Sequence, residues 1–391
     1  MHIDYSQEEK ALRAHLRTYF AELITDEVMA EYSGKSDGGG PLYTQVLKQL
    51  GKDGWLGIGW PKEYGGQGKG QMEQFIFFDE SMRSGAPVPM LTINTVGPTI
   101  MNFGSQEQKD FFLPKILAGD LHFSIGYSEP EAGTDLASLK TRADLDGDEY
   151  VINGSKMWTS LASDADYCWL AVRTDQDAPK HKGISMIIVD LKNTPGITIE
   201  PLNLLSSHDI NAVYYDNVRV PAANIVGGVN KGWNLITNQL NHERVTLCSS
   251  GLLEQSLDEV IRFAADNTLP NGQRIIDQEW VQLNLARVRA GLEFLRQINW
   301  KVASSASLDI SDASTIKIFG TEFYLEAFRL LMEILGPRAY LQRNSAAEVV
   351  QGRLEMSYRS LVILTFGGGT NEIQRDLIAM FGLGLPRSLR G

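Results

Sequence analysis

The hydrophobic period of this chain changes twice, and that confines it to a helix–sheet–helix architecture. Residues 6–35 place Leu12, Leu16, Tyr19, Phe20 and Leu23 at helical spacing. Glycine and proline punctuation follows in Gly38-Gly39-Gly40-Pro41 and again from Gly57 to Gly66. Helical pattern resumes from about 70 to 119, broken near Ala86-Pro87 and Gly97-Pro98. From 121 the pattern is of strands. Residues 148–153 end at Asn153-Gly154, a strong hairpin-turn pair. Residues 167–172 and 184–189 are apolar and β-branched, and 213–220 partly alternate. Short strands separated by turns imply an antiparallel sheet. After Gly227-Gly228 the stretches 231–265, 277–303, 312–335 and 345–364 predict four helices of a bundle. The expected fold is mainly α with a middle antiparallel β domain. The expected division is an N-terminal helical domain at 1–121, a middle β domain at 122–228 and a C-terminal helical bundle domain at 229–391.

Composition excludes several function classes. A formal net charge of −12 argues against unassisted binding to nucleic acid or an anionic membrane, where basic surface supplies the attraction. Six scattered histidines and two distant cysteines give no metal-ligand spacing. Cys168 and Cys248 each lie in a hydrophobic-rich segment and read as buried thiols. No apolar run is long enough to span a bilayer, and the first ten residues lack the pattern of a signal peptide, so a cytoplasmic location is expected.

Two segments carry the chemistry. Tyr127-Ser128-Glu129-Pro130-Glu131-Ala132-Gly133-Thr134-Asp135 sets hydroxyls, a proline and a glycine at the entrance to the sheet domain, a composition suited to holding a polar ligand against backbone N–H groups. Further on, Asn153-Gly154-Ser155-Lys156-Met157-Trp158-Thr159-Ser160 puts an indole beside two hydroxyls, suited to stacking on a planar ring and donating hydrogen bonds to it. Together they resemble the paired flavin-binding motifs of the acyl-CoA dehydrogenase family. Matches to that family continue along most of the chain: Gly54-Trp55-Leu56-Gly57, Glu63-Tyr64-Gly65-Gly66-Gln67-Gly68, Gly104-Ser105-Gln106-Glu107-Gln108-Lys109 and Gly367-Gly368-Gly369-Thr370-Asn371-Glu372-Ile373-Gln374-Arg375.

The resemblance implies FAD as cofactor, an acyl-CoA as substrate and an electron-transferring flavoprotein as electron acceptor. It implies that Tyr127 and Ser128 hydrogen-bond the pyrimidine side of the isoalloxazine, that Trp158 lies against it, and that Thr159 and Ser160 sit near N5. Gly133 joins this cofactor set. Thr134 matches a pantetheine or cofactor contact, and Thr370 and Glu372 match positions near the pyrophosphate and ribityl chain. In the family a carboxylate takes the α-proton while the β-hydrogen leaves as hydride. Many members carry that base immediately before Gly-Thr; here this position is Gly368, which cannot take a proton. A minority carries it on the first bundle helix, where this chain has Asn241-His242-Glu243-Arg244. Glu243 is therefore the expected base, with Arg244, Asn241, Gly368 and Gly369 on the substrate side.

One half-site departs from the family pattern. In homotetrameric members a neighbouring subunit lends an Arg…Phe-Gly element and a glutamine with a glycine-rich loop to the FAD. Here the first segment reads Asn267-Thr268-Leu269-Pro270-Asn271-Gly272-Gln273-Arg274, and the second Glu333-Ile334-Leu335-Gly336-Pro337-Arg338. Glu333 would repel a pyrophosphate, and Pro337 lacks an N–H. The resemblance narrows accordingly to the base-carrying subunit of heteromeric (α2β2) bacterial steroid side-chain acyl-CoA dehydrogenases, with a second, dehydrogenase-like subunit lending the missing half. The open Gly367-Gly368-Gly369 run suits a bulky or branched acyl group. An acyl-CoA oxidase and a non-catalytic partner subunit are the alternatives; a flavin monooxygenase or nitroalkane oxidase of the same fold is disfavoured by Glu243.

Overall fold

The structure, a computed structural model, describes residues 4–34, 40–205, 210–237, 239, 248–305, 309–343 and 345–387. Its helices in chain order are α1 (Gln7–Leu23), α2 (Asp26–Gly34), α3 (Pro41–Lys52), α4 (Gln71–Ser84), α5 (Gly97–Phe103), α6 (Gln106–Ala118), α7 (Gly251–Asp266), α8 (Glu279–Ala303), α9 (Ile310–Leu335), α10 (Arg353–Ser360) and α11 (Asn371–Leu377). The strands are β1 (Phe123–Gly126), β2 (Arg142–Asp146), β3 (Glu149–Ser160), β4 (Tyr167–Arg173), β5 (Ile184–Asp190), β6 (Ile197–Pro201), β7 (Ile210–Pro221) and β8 (Ile225–Val226). They fall into two compact units, one of Met1–Ile24, Gln71–Ala86 and Arg244–Gly391, the other of Thr25–Gly70 and Pro87–Glu243.

In the first unit α7, α8 and α9 bury apolar stripes at intervals of three and four: Leu253, Leu257 and Val260; Val288, Leu292 and Leu295; Tyr324, Phe328 and Leu331. Gly291 permits the close approach of α8 and α9, since a Cβ there would lie 2.2 Å from the Phe323 ring. Buried Glu80 on α4 accepts from Arg17 Nε at 2.9 Å, and Glu254 on α7 from Arg13 Nη2 at 2.9 Å, which ties α1, α4 and α7 together. The helical reading of 6–35 proves to be two helices. Ser6 closes a capping box with Glu9 at the start of α1, and Thr25 Oγ1 accepts the Val28 N–H at 3.4 Å as α2 begins.

Two bundle expectations are corrected. The stretch 231–265 is not one helix: 232–237 are helical, but 248–250 are not, and α7 starts only at Gly251. The cause is buried Asp79 on α4. Its carboxylate accepts from Ser249 Oγ at 2.8 Å, Ser250 Oγ at 2.9 Å and the Gly251 N–H at 2.9 Å, an arrangement that replaces helical bonds with side-chain ones. The stretch 345–364 holds only the short α10, flanked by 3-10 turns at Val350–Gly352 and Leu361–Thr365.

In the second unit the sheet runs β6-β7-β3-β2-β4-β5-β8, with β1 beside β4. Most pairs are antiparallel, but β1 runs parallel to β4, and β2 meets β4 in parallel at Arg142 and Arg173, so the sheet is mixed. The expected hairpin at Asn153-Gly154 is also corrected. The turn between β2 and β3 is Gly147-Asp148, with Asp146 paired to Glu149 and Gly147 at φ 66. Asn153-Gly154 instead lies within β3 at a bulge opposite Asn217, whose N–H donates to Asn153 Oδ1 at 2.9 Å. Gly154 has φ 149, and a Cβ there would press to 2.7 Å of Thr141 Cα. Cys168 and Cys248 are both buried free thiols, and burial pushes Cys248 up to about 12. Among the described residues, no helix is long and apolar enough to cross a membrane.

Candidate active site

The second unit carries the residues expected to face a flavin. Tyr127–Asp135 leaves the end of β1 and is laced to β3 by three bonds. Lys156 Nζ donates to the Tyr127 carbonyl at 3.0 Å, the Met157 N–H to the Ser128 carbonyl at 2.9 Å, and Lys156 Nζ to Glu129 Oε1 at 2.7 Å. Lys156 is 0% exposed and Glu129 7%. The Glu129 carboxylate also accepts the N–H groups of Lys140 at 2.6 Å and Thr141 at 2.9 Å. Burial would raise Glu129, but the Lys156 ammonium and these bonds outweigh it and hold the carboxyl below its usual range. For Lys156 burial wins and pulls the ammonium below the usual lysine range, with Glu129 opposing.

Immediately after this anchor the strand is re-aimed. The β3–β7 register shifts between Lys156 and Thr159, Trp158 adopts φ 66, and its indole is left 55% exposed. Left-handed backbone at a bulky residue stores strain, which persists where the surroundings impose it, commonly at ligand sites. Thr159 follows at 1% exposure, with a buried hydroxyl that finds no partner among the described residues. Ser160 is half-buried. A side chain at Gly133 would meet nothing within 4 Å, and Thr134 is exposed. A presented indole, an unpaired buried hydroxyl and open space at Gly133 fit a planar ring with polar edges.

Tyr127 donates its hydroxyl to Gln239 Oε1. Gln239 is buried; its Oε1 also accepts from Trp169 Nε1 at 3.2 Å, and its Nε2 donates to Thr99 Oγ1 at 3.0 Å. Sequence reasoning missed Gln239, whose position four residues before Glu243 was the available signal. Asn241, Glu243 and Arg244 lie outside the described residues.

The first unit carries the glycine-rich turn. Gly368 and Gly369 have φ 68 and 97, the left-handed region that glycine enters freely. Thr370 then caps α11, accepting the Ile373 N–H at 3.2 Å. Glu372 stands exposed in the first turn of α11, its carboxyl held below the usual range by its own N–H and the Thr370 hydroxyl. In the departing half-site, Glu333 is occupied within its own chain, accepting from Arg329 at 2.6 Å and Asn284 at 3.1 Å. Arg274 is likewise spent on Asp277, with two bonds of 2.8 Å.

Thr159→Val is expected to leave the melting temperature of the FAD-free protein unchanged or slightly raised, because it removes a hydroxyl without a partner among the described residues. FAD binding is expected to weaken by up to about tenfold, in line with one lost hydrogen bond. Flavin fluorescence on dilution measures it.

Three family descriptions match in series: Acyl-CoA dehydrogenase, N-terminal domain over residues 6–120, middle domain over 124–218 and C-terminal domain over 230–383. The chain belongs to the acyl-CoA dehydrogenase family. It is 54% identical over 406 residues to the acyl-CoA dehydrogenase FadE26 of Mycobacterium tuberculosis, covering 100% of both chains. Among solved structures of the family it is similar to a chain of the ChsE4-ChsE5 complex from Mycobacterium tuberculosis, with TM-score 0.93 and 55% identity over 99% of this chain and 100% of that one. It is also similar to the Tcur3481-Tcur3483 steroid ACAD, with TM-score 0.94 and 46% identity over 99% of this chain and 100% of that one.

Proposed function

We propose that this chain is the base-carrying subunit of a cytoplasmic, FAD-dependent acyl-CoA dehydrogenase that desaturates the α,β bond of a steroid side-chain acyl-CoA, and that it works only beside a second, different subunit. The observation carrying this reading is the likeness along nearly the whole chain to ChsE4-ChsE5 and to the steroid ACAD Tcur3481-Tcur3483, both named as pairs of proteins. Support comes from the half-site in which Glu333 and Arg274 are spent on their own chain. Further support is the apolar side of α8, where Trp280, Leu283 and Phe294 stand exposed at helical spacing, as at an uncovered interface.

FAD, when bound, supplies the acceptor for the β-hydride. The chain does the rest. Glu243 takes the α-proton into its carboxylate. That proton is weakly acidic, so the Gly368-Gly369-Thr370 turn must present backbone N–H groups to the thioester oxygen where charge develops. Ser128, Trp158, Thr159 and Ser160 hold and shield the cofactor, Thr134 meets the pantetheine, and Asn241 and Arg244 complete the substrate side. The lack of side chains at Gly367-Gly368-Gly369 leaves volume for fused rings. A cavity of about 600 Å³ lined by His181, Lys182, Asn230, Lys231 and Trp233 gives this acidic chain a basic recess suited to the phosphates of CoA. The electron acceptor of such an enzyme would be an electron-transferring flavoprotein.

Co-expression tests the reading. The chain with the dehydrogenase-like protein of its genomic neighbourhood is expected to purify yellow as an α2β2 complex, with half as many FAD as subunits. Steroid acyl-CoA should bleach it faster than straight-chain or methyl-branched acyl-CoA. A lone chain that forms a fully active homotetramer with one FAD per subunit overturns the proposal, and oxygen consumption matching turnover would make it an oxidase.

A further inference from the structure

Lys317 lies in the middle of α9, 0% exposed. An ammonium buried in a helical bundle is costly, and a leucine would fill similar volume without the cost. Its three donors are all committed around one turn. Nζ donates to the Thr365 carbonyl at 3.1 Å, the Gly369 carbonyl at 2.6 Å and Asn371 Oδ1 at 2.7 Å. Thr365 and Gly369 are the two ends of the segment Phe366-Gly367-Gly368, and Asn371 opens the helix that follows.

That turn needs an external fix. Glycine has more conformations to lose than any other residue, and here three stand in a row, two of them left-handed. The Gly367 N–H reaches back to the Ile363 carbonyl at 2.7 Å, which secures the entry, and Thr370 caps α11, which secures the exit. Between them Lys317 spans both ends from a rigid helix of 26 residues. A tetrahedral ammonium with three donors suits two carbonyls and an amide oxygen converging on one point; a planar guanidinium or a neutral amide does not. Asn371 passes the restraint on, donating through Nδ2 to Thr321 Oγ1 at 3.1 Å and Glu322 Oε1 at 3.1 Å.

We infer that Lys317 is a positioning residue for the reaction: its clamp on Thr365, Gly369 and Asn371 holds the glycine turn at the geometry in which its N–H groups meet the thioester oxygen. This deepens the dehydrogenase reading and rests on it. A misplacement of about 1 Å in such a donor is enough to cost on the order of 10²-fold in rate.

The test uses the co-expressed complex with Lys317→Met, Lys317→Arg and Asn371→Ala. The readouts are FAD content, melting temperature, kcat and KM, and the long-wavelength charge-transfer band of the bound 3-thia analogue of the best substrate. That band requires the α-proton to be removed and the thioester oxygen to be polarised. Lys317→Met is expected to keep its FAD and a KM within a few-fold of wild type while kcat falls about 100-fold and the band fades. Lys317→Arg and Asn371→Ala should show the same split at about tenfold, and they carry the test if Lys317→Met does not fold. A residue that merely stabilised the bundle would lower melting temperature and FAD content without separating kcat from KM. Variants with normal kcat and a normal band overturn the role alone. A wild-type complex that gives no band overturns the dehydrogenase reading and this role with it.

Discussion

Glu243→Gln, assembled with its wild-type partner, is expected to bind FAD and acyl-CoA normally and yet bleach the flavin about 10²- to 10⁴-fold more slowly, the usual contribution of a positioned general base. Glutamine keeps the size and hydrogen bonding of the side chain but cannot accept the α-proton. No substitute stands at the family's commoner position, because Gly368 has no side chain, and its φ of 68 would strain any residue placed there. Anaerobic stopped-flow spectroscopy reads the bleaching directly. Because binding survives, KM should move little while kcat falls. Bleaching at the wild-type rate would remove Glu243 from the mechanism and send the search for a base elsewhere.

The second large effect is structural. Lys156→Met leaves the Glu129 carboxylate buried without its ammonium, which costs about 3–5 kcal/mol for a broken buried pair. Native stabilities are only about 5–15 kcal/mol, so the variant is expected to melt far below wild type. It should also lose FAD, since Lys156 holds the Tyr127 carbonyl as well as Glu129. The double variant Glu129→Leu, Lys156→Met removes both charges and should recover much of the melting temperature, because a buried pair replaced whole by apolar groups is often close to neutral. Flavin content should recover less, since the Lys140 and Thr141 N–H groups also lose their acceptor. Calorimetry and the flavin-to-protein absorbance ratio measure the two outcomes. Equal melting of the single and double variants would mean the charge itself is of little consequence.

The order of helical and strand segments was legible because apolar spacing is a local property, and the flavin motifs because they are contiguous. What was not legible depended on distant residues. Asn153-Gly154 has the composition of a hairpin turn, but the neighbouring Thr141 and Asn217 absorb it into a bulge. The spacing over 231–265 is helical throughout, yet Asp79, some 170 positions earlier, interrupts it. Lys317 carried no signal as an isolated polar residue on a helical segment, and Gln239 only its spacing from Glu243; their meaning comes from carbonyls and hydroxyls that only the fold brings to them.

The interruption at 248–250 has a consequence for how such a chain varies. A continuous helix transmits a one-residue insertion as a rotation of about 100° to everything beyond it. Here α7 takes its phase afresh from the carboxylate at its first residue. Length changes upstream, in the stretch that carries Glu243, therefore stop at Ser250, and Leu253, Leu257 and Val260 keep facing inward. The residues ahead of Ser250 can change in number while the bundle beyond them stays in register.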